Sequence, residues 1–233
     1  MMLARLSKSR YQEGLQCPKL LWLRYHRPNC ADPVGVELRA RFAAGHRVGE
    51  QGRRRFPGGV LVAEDHTRAP QALATTARLL NAGVSCLYEA AFEHHGVLVR
   101  VDILAREVNS WRLIEVKSGT RVRPEHITDA AIQTYVARGS GLTVDRVFLL
   151  HPAPGYEPVN PREDIEERQF VQADITSSVS AHLPSIPGTL ARLRAMLAAP
   201  CPNTSPGEQC GHPYTCPFLA FCRNHRMSLD MPA

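Results

Sequence analysis

Asp102 and the tripeptide Glu115-Val116-Lys117 bring together the side chains that phosphodiester hydrolysis needs. Two carboxylates can hold Mg²⁺ or Mn²⁺, which polarises a phosphate and helps generate hydroxide. A lysine beside them can orient the attacking water or offset charge on the phosphorane. Residues two apart on a strand point to the same face, so Glu115 and Lys117 share one face and Val116 takes the other. The main-chain carbonyl of Val116 is a further candidate metal ligand. A hairpin turn at Asn109-Ser110 would bring Asp102 beside Glu115. The flanking runs, Val99 to Leu104 and Leu113-Ile114, are those of central strands. Acids there carry a desolvation cost that a metal would offset. The structural alternative is an exposed Glu-x-Lys ion pair.

Further polar residues flank this group. Gln133 and Tyr135 lie on the following helical segment, with Asp129 one turn before Gln133. Gln133 is a candidate to bond a phosphate or order water; as alternatives, Gln133 is a surface glutamine and Tyr135 a core tyrosine. His46 and Glu50 stand four apart on one helical face, and Glu89 sits in an apolar strand; all three are candidate extra metal ligands. Arg100, Arg121 and Arg123 are the basic side chains nearest the candidate site, with Arg53, Arg54 and Arg55 as outer contacts for a phosphate backbone. Of 28 basic residues, three are lysines: Lys8, Lys19 and Lys117.

The seven cysteines are uneven, and four lie in the last 33 residues. Cys210-x5-Cys216-x5-Cys222 is regular and set among prolines and glycines. Three thiolates need a fourth ligand for zinc or for a [4Fe-4S] cluster, and the spacing does not choose between them. Cys17 is the best distant candidate, because Cys17-Pro18 at a helix break is like Cys216-Pro217; Cys201 and His212 compete with it. Cys30 and Cys86 read as core thiols.

The elements that must position these residues follow from periodicity. Residues 7–26 read as helical with a break near Cys17, and 27–34 as a loop. A helix over 35–55 carries an apolar stripe of Val36, Phe42, Ala43 and Val48. A short strand at 60–63 and a helix at 69–82 precede three strands at 84–93, 97–106 and 111–117. A helix over 124–138, opened by Pro124, leads to a strand at 144–151. Residues 152–168 read as a loop, 169–174 as a strand and 185–199 as a helix. The order predicts a mixed α/β fold around a central sheet. Three regions of one integrated domain are expected: 1–83, 84–175 and 176–233. The chain of 233 residues is 44% hydrophobic and 21% charged, which excludes global disorder. Its net charge of +6 is compatible with a nucleic-acid partner. No apolar run approaches the roughly 20 residues that a bilayer span requires. The N-terminus has no apolar stretch after its charges, so a cytoplasmic protein without a membrane partner is expected.

Taken together, these residues resemble the RecB-like branch of the PD-(D/E)XK nucleases. The likeness is to iron–sulfur members such as the CRISPR-associated exonucleases and AddB-type nuclease domains. It is carried by Leu6 to Tyr11, Leu15 to Leu23, Phe42 to Glu50, the Asp102/Glu115/Lys117 core, Gln133-x-Tyr135 and the cysteines, one before the core and three after. The resemblance implies a restriction-endonuclease-like core with a cysteine-bound clamp joining the chain ends. It implies Asp102, Glu115, Lys117, Gln133 and Tyr135 as catalytic residues. It implies Cys17, Cys210, Cys216 and Cys222 as ligands of a [4Fe-4S] cluster. The family often places its glutamine and tyrosine four apart, against two here. It often places a metal-binding histidine four residues after the helix glycine, where this chain has Gly49 beside Glu50. The implied activity is a Mg²⁺- or Mn²⁺-dependent exonuclease on single-stranded DNA. The alternative is a non-catalytic nucleic-acid-binding or interaction subunit of a repair or defence complex. The sequence holds no Gly-x4-Gly-Lys-[Ser/Thr] motif, so unwinding would come from a helicase partner.

Overall fold

The computed structural model describes residues 5–156, 165 and 169–224. Most of the expected loop at 152–168, and the chain beyond 224, lie outside the described residues. In chain order the elements are β1 (Leu6–Ser7), α1 (Lys8–Gln16), α2 (Pro18–His26), α3 (Val36–Arg53), β2 (Val60–Leu61), α4 (Ala69–Asn81), β3 (Cys86–His94), β4 (Val97–Arg106), β5 (Trp111–Val116), α5 (Pro124–Gly139), β6 (Val144–Pro152), β7 (Phe170–Asp174), α6 (Thr176–His182), α7 (Ile186–Leu197) and α8 (Leu219–Asn224). This is a mixed α/β fold with a central sheet flanked by helices.

The sheet has seven strands, ordered β2-β3-β4-β5-β6-β7, with β1 also paired to β4. β3, β4 and β5 form an antiparallel meander, whereas β5 and β6 are parallel because α5 returns the chain between them. From Val147 to Leu150 the alternation along β6 is clean, after a register shift opposite Trp111 and Arg112. Val147 and Leu149 face the larger core with α1 and α4 to α7, while Phe148 and Leu150 face the smaller core with the end of α3. Gly14 lets α1 lie close on α7: a Cβ there would stand 2.7 Å from Leu193 and 2.9 Å from Leu21.

The alternation also slips in the middle of the sheet. Val97, Val99 and Val101 of β4 face the larger core, but so does Leu104, while Ile103 and Ala105 face the smaller one. The change of phase falls at Asp102. β3 changes phase at Glu89, which adopts φ +56°, a conformation uncommon outside glycine and asparagine. The ladder pairs Tyr88 with Ile103 and Ala90 with Val101, so Glu89 stands opposite Asp102 where both strands buckle.

β1 explains a second irregularity. It pairs in parallel with Val97 and Leu98 at the start of β4, and β5 pairs with Ile103 to Arg106 at its end. β3 occupies the other edge of β4 from Val97 to Ala105. β1 and β5 therefore share one edge of β4, end to end, with a gap between them at Asp102. The first residue of α1, Lys8, enters that gap from one side, and Glu115 and Lys117 enter from the other.

α3 departs from the expected apolar stripe. Val36 is 75% and Phe42 56% exposed, and its buried residues are Gln51 and Gly52 at the C-terminal end. There the helix approaches β5 and β6 closely: a Cβ on Gly52 would stand 3.0 Å from Leu150 and 3.3 Å from Val116. α6 and α8 are short helices that the periodicity did not mark. Among the described residues, no helix is long and apolar enough to cross a membrane.

Candidate active site

At the gap in the sheet, five charged side chains converge. Glu115 is 1% exposed, and its carboxylate is held from three directions. Lys117 Nζ lies 2.6 Å from Oε1, Lys8 Nζ lies 3.1 Å from the same oxygen, and Gln133 Nε2 donates to Oε2 at 2.5 Å. Asp129, one turn before Gln133 on α5, pairs with Lys117 through Oδ2 and stands 3.5 Å from Lys8 through Oδ1. Asp102 accepts a hydrogen bond from the Val116 N–H at 2.7 Å. Its side chain thus takes the place of a ladder carbonyl where the β4–β5 pairing stops.

The electrostatics separate the carboxylates. Burial by itself would raise Glu115, but Lys117 and Lys8 outweigh it and hold Glu115 well below the usual carboxylate range. Burial raises Asp102, and the neighbouring Glu115 adds to it, so that Asp102 is pushed up to about 7. Among the described residues, no cationic side chain forms an ion pair with Asp102. Burial also raises Asp129. Asp129 Oδ1 and Gln133 Oε1 are buried without a hydrogen-bond donor. Two carboxylates on adjacent strands with different proton affinities, beside a positioned lysine, are the elements of acid–base or metal-assisted chemistry.

Other expected residues stand elsewhere. Tyr135 is two residues from Gln133 and therefore projects from another side of α5. Its hydroxyl meets His95 Nδ1 at 3.1 Å, and its ring packs edge-on to His94 at the β3–β4 turn. Glu89 faces two arginines, with Arg53 at 2.7 Å and Arg100 at 3.2 Å. Arg100 also donates to the carbonyls of Val62 and Glu64. His46 and Glu50 are exposed on α3, as are Arg121 and Arg123 before α5, with Arg123 3.8 Å from Glu125. Val116 turns its side chain into the smaller core. Among the described residues, no three His, Cys, Asp or Glu side chains stand in an arrangement ready to hold a metal ion. In hardness, Asp102, Glu115 and the Val116 carbonyl fit Mg²⁺ or Mn²⁺, and Asp102 is the acid left without a counter-ion.

Sequence reasoning missed Lys8. The signal was present, because lysine is scarce in this arginine-rich chain. Lys8 and Lys117 meet at one carboxylate, and Lys19 lines the cysteine cavity.

That cavity lies where the chain ends meet. Cys17, Cys210, Cys216 and Cys222 line it together with Phe218 and Leu20. All seven cysteines are free thiols. Buried packing holds the region as well: Phe218, Trp22, Leu20 and Leu23 form one cluster with Cys17 and Cys216. Gln16 Nε2 donates to the carbonyls of Gln209 and Tyr214, and Trp22 donates to Ala199. The sequence expectation that packing alone would not hold this tail is therefore qualified by an apolar contact around Phe218. Burial pushes the Cys216 thiol up to about 11, and the adjacent Cys210, Cys222 and Cys17 push the same way. Four thiols around one cavity match an iron–sulfur cluster or zinc in number and softness, but among the described residues they do not stand in an arrangement ready to hold a metal ion. A bound cation would also remove the penalty on the Cys216 and Cys222 thiolates.

No protein-family model matches the chain. No curated protein matches it either. Among solved structures, one titled "Crystal structure of SSO0001" is similar over 77% of this chain and 95% of that one, at 12% identity and a TM-score of 0.31. A superposition that loose adds nothing to the argument from the site.

Proposed function

We propose that this protein is a Mg²⁺- or Mn²⁺-dependent DNA nuclease of the RecB-like PD-(D/E)XK kind, acting as an exonuclease on single-stranded DNA. The observation that carries the reading is the meeting of Asp102, Glu115 and Lys117 at a break in the sheet, with Gln133 bonded to Glu115. Asp102, Glu115 and the Val116 carbonyl would hold the metal, which when bound polarises the phosphate and lowers the pKa of the attacking water. Lys117, fixed between Glu115 and Asp129, offers its ammonium to the water or to charge building on the phosphate. Gln133 fixes the orientation of Glu115. In this reading Cys17, Cys210, Cys216 and Cys222 hold a [4Fe-4S] cluster, with zinc as the alternative, that clamps the chain ends beside a restriction-endonuclease-like core.

The test is anaerobic protein with end-labelled single-stranded and duplex DNA plus Mn²⁺ or Mg²⁺, alongside E115A. Degradation by the wild type and not by E115A supports the reading, and the product ladder gives the polarity. A second reading, a non-catalytic nucleic-acid-binding subunit, is favoured by one observation: Lys8 and Lys117 already compensate Glu115 within the chain. Binding without degradation at full cluster occupancy would select it.

A further inference from the structure

We propose that Lys8 is a substrate-contacting residue, whose ammonium leaves the carboxylates to meet a backbone phosphate when a nucleic-acid strand enters the site. The inference rests on the nuclease reading. Lys8 is the more distant of two cations at Glu115: Lys117 approaches the same Oε1 at 2.6 Å, against 3.1 Å for Lys8. Lys8 also stands 3.5 Å from Asp129, whose other oxygen Lys117 already holds. Removing Lys8 from this arrangement leaves Glu115 and Asp129 sharing the Lys117 ammonium.

The second argument is where Lys8 could go. It lines a cavity of about 330 Å³ at the start of α1, together with Ser9, Arg10 and Arg100. Its side chain keeps 23% of its surface open, so it borders both the cavity and the buried carboxylates. The arginines on that wall are committed. Arg10 pairs with Glu13 at 2.6 Å, and Arg100 binds Glu89 and two main-chain carbonyls. Lys8 is held instead by carboxylates that have another partner. A lysine ammonium on a flexible stem suits such an exchange better than a planar guanidinium fixed in a fork.

The experiment reads binding of a labelled single-stranded oligodeoxynucleotide to the full chain, without divalent cations, across a salt series. Lys8→Met is expected to weaken binding about tenfold, as for one charge-assisted contact. It should lower the slope of log affinity against log salt by about 0.7. Lys8→Arg should retain the slope. Lys8→Gln, which keeps a donor without the charge, should lose it and guards against a folding defect in K8M. R78M, on the exposed face of α4, is the control for charge at a distance. An unchanged slope in K8M and K8Q, with Glu115-dependent cleavage intact, overturns this inference alone. An equal loss in R78M also overturns it. A wild type that neither binds nor cuts DNA overturns the nuclease reading and this inference with it.

Discussion

Lys8 and Glu115 are 107 residues apart in sequence, yet their ammonium and carboxylate lie 3.1 Å apart. Topology makes the contact. β1 and β5 run along one edge of β4 and stop short of each other, so the start of α1 faces the end of β5 across Asp102. A buckle in β3 at Glu89 and the change of phase in β4 keep that gap open. Regular pairing through it would have consumed the Val116 N–H in the ladder, whereas here Asp102 holds it. The site is thus a local failure of sheet regularity, with charged side chains in place of ladder bonds.

Gln133 and Tyr135 should behave differently on substitution. Gln133 is 0% exposed, and its amide nitrogen satisfies a carboxylate oxygen of Glu115. Q133A removes that donor and is expected to cost about 1–3 kcal/mol of stability, together with most of the proposed nuclease activity. Y135F loses one hydrogen bond to His95 near the surface and should leave activity within about twofold, a loss below ~0.5 kcal/mol. Denaturant melts and initial rates on single-stranded DNA check both. A strong activity loss in Y135F with an unchanged melt would place the tyrosine in the site after all.

The two strand acids give opposite pH dependences. Asp102 has a raised pKa in the folded state, from 3.8 to about 7. Its contribution favours the folded state below pH 3.8 and is lost as the pH rises through about 7. Glu115 is depressed by Lys117 and Lys8 despite burial, so its contribution is present above pH 4.5 and is lost as the pH falls. D102N should therefore raise stability at pH 8, by up to ~4 kcal/mol, and change little at pH 4. E115Q should lower it at pH 8. Millimolar Mn²⁺ should raise the Tm of the wild type at pH 8 and leave D102N unmoved. Scanning calorimetry of the three proteins at both pH values measures this, and a D102N destabilised at pH 8 would reverse the assignment.

The central elements were legible because their patterns were strong. The strands at 86–94, 97–106, 111–116 and 144–152, and the helix opened by Pro124, lie within a few residues of where periodicity and turn residues put them. The shared face of Glu115 and Lys117 followed from strand geometry. The rest depended on irregularity. β1 has two residues and no periodicity to read, so Lys8 had no visible route to Glu115. Glu89 read as a carboxylate in a strand, but its left-handed backbone and its two arginine partners come from tertiary packing. The stripe on α3 had helical spacing, yet burial is confined to the helix end that touches β5 and β6. Tyr135 followed from a resemblance, and the geometry of α5 turns it to the β3–β4 turn.

Asp129 is a positioning residue for Lys117, and D129N tests it. The amide keeps the shape but removes the charge that pairs with the ammonium. Lys117 retains Glu115 at 2.6 Å, so the fold should hold. The expected result is a fall in kcat of about tenfold, or ~1.4 kcal/mol, with KM nearly unchanged, since Asp129 is not expected to touch the strand. A rise in KM at constant kcat would assign Asp129 to substrate binding.

The cysteine cavity predicts coupling between cofactor and tail. The tail is fixed by Phe218 in its apolar cluster and by Gln16 reaching the carbonyls of Gln209 and Tyr214, and in the proposed reading a cofactor on the four cysteines would be the third tie. The first two survive loss of a cofactor, but the four thiols would then make no bond across the cavity. Anaerobically purified protein should be brown with broad absorbance near 400 nm, and C216S should lose both colour and metal. Limited proteolysis of C216S should cut within 200–216 about tenfold faster than in the wild type, for a loss of ~1.4 kcal/mol of local stability. Equal proteolytic resistance in the two proteins would assign the tail to packing alone, and a colourless wild type that binds one zinc would replace the cluster by a zinc clamp on the same four residues.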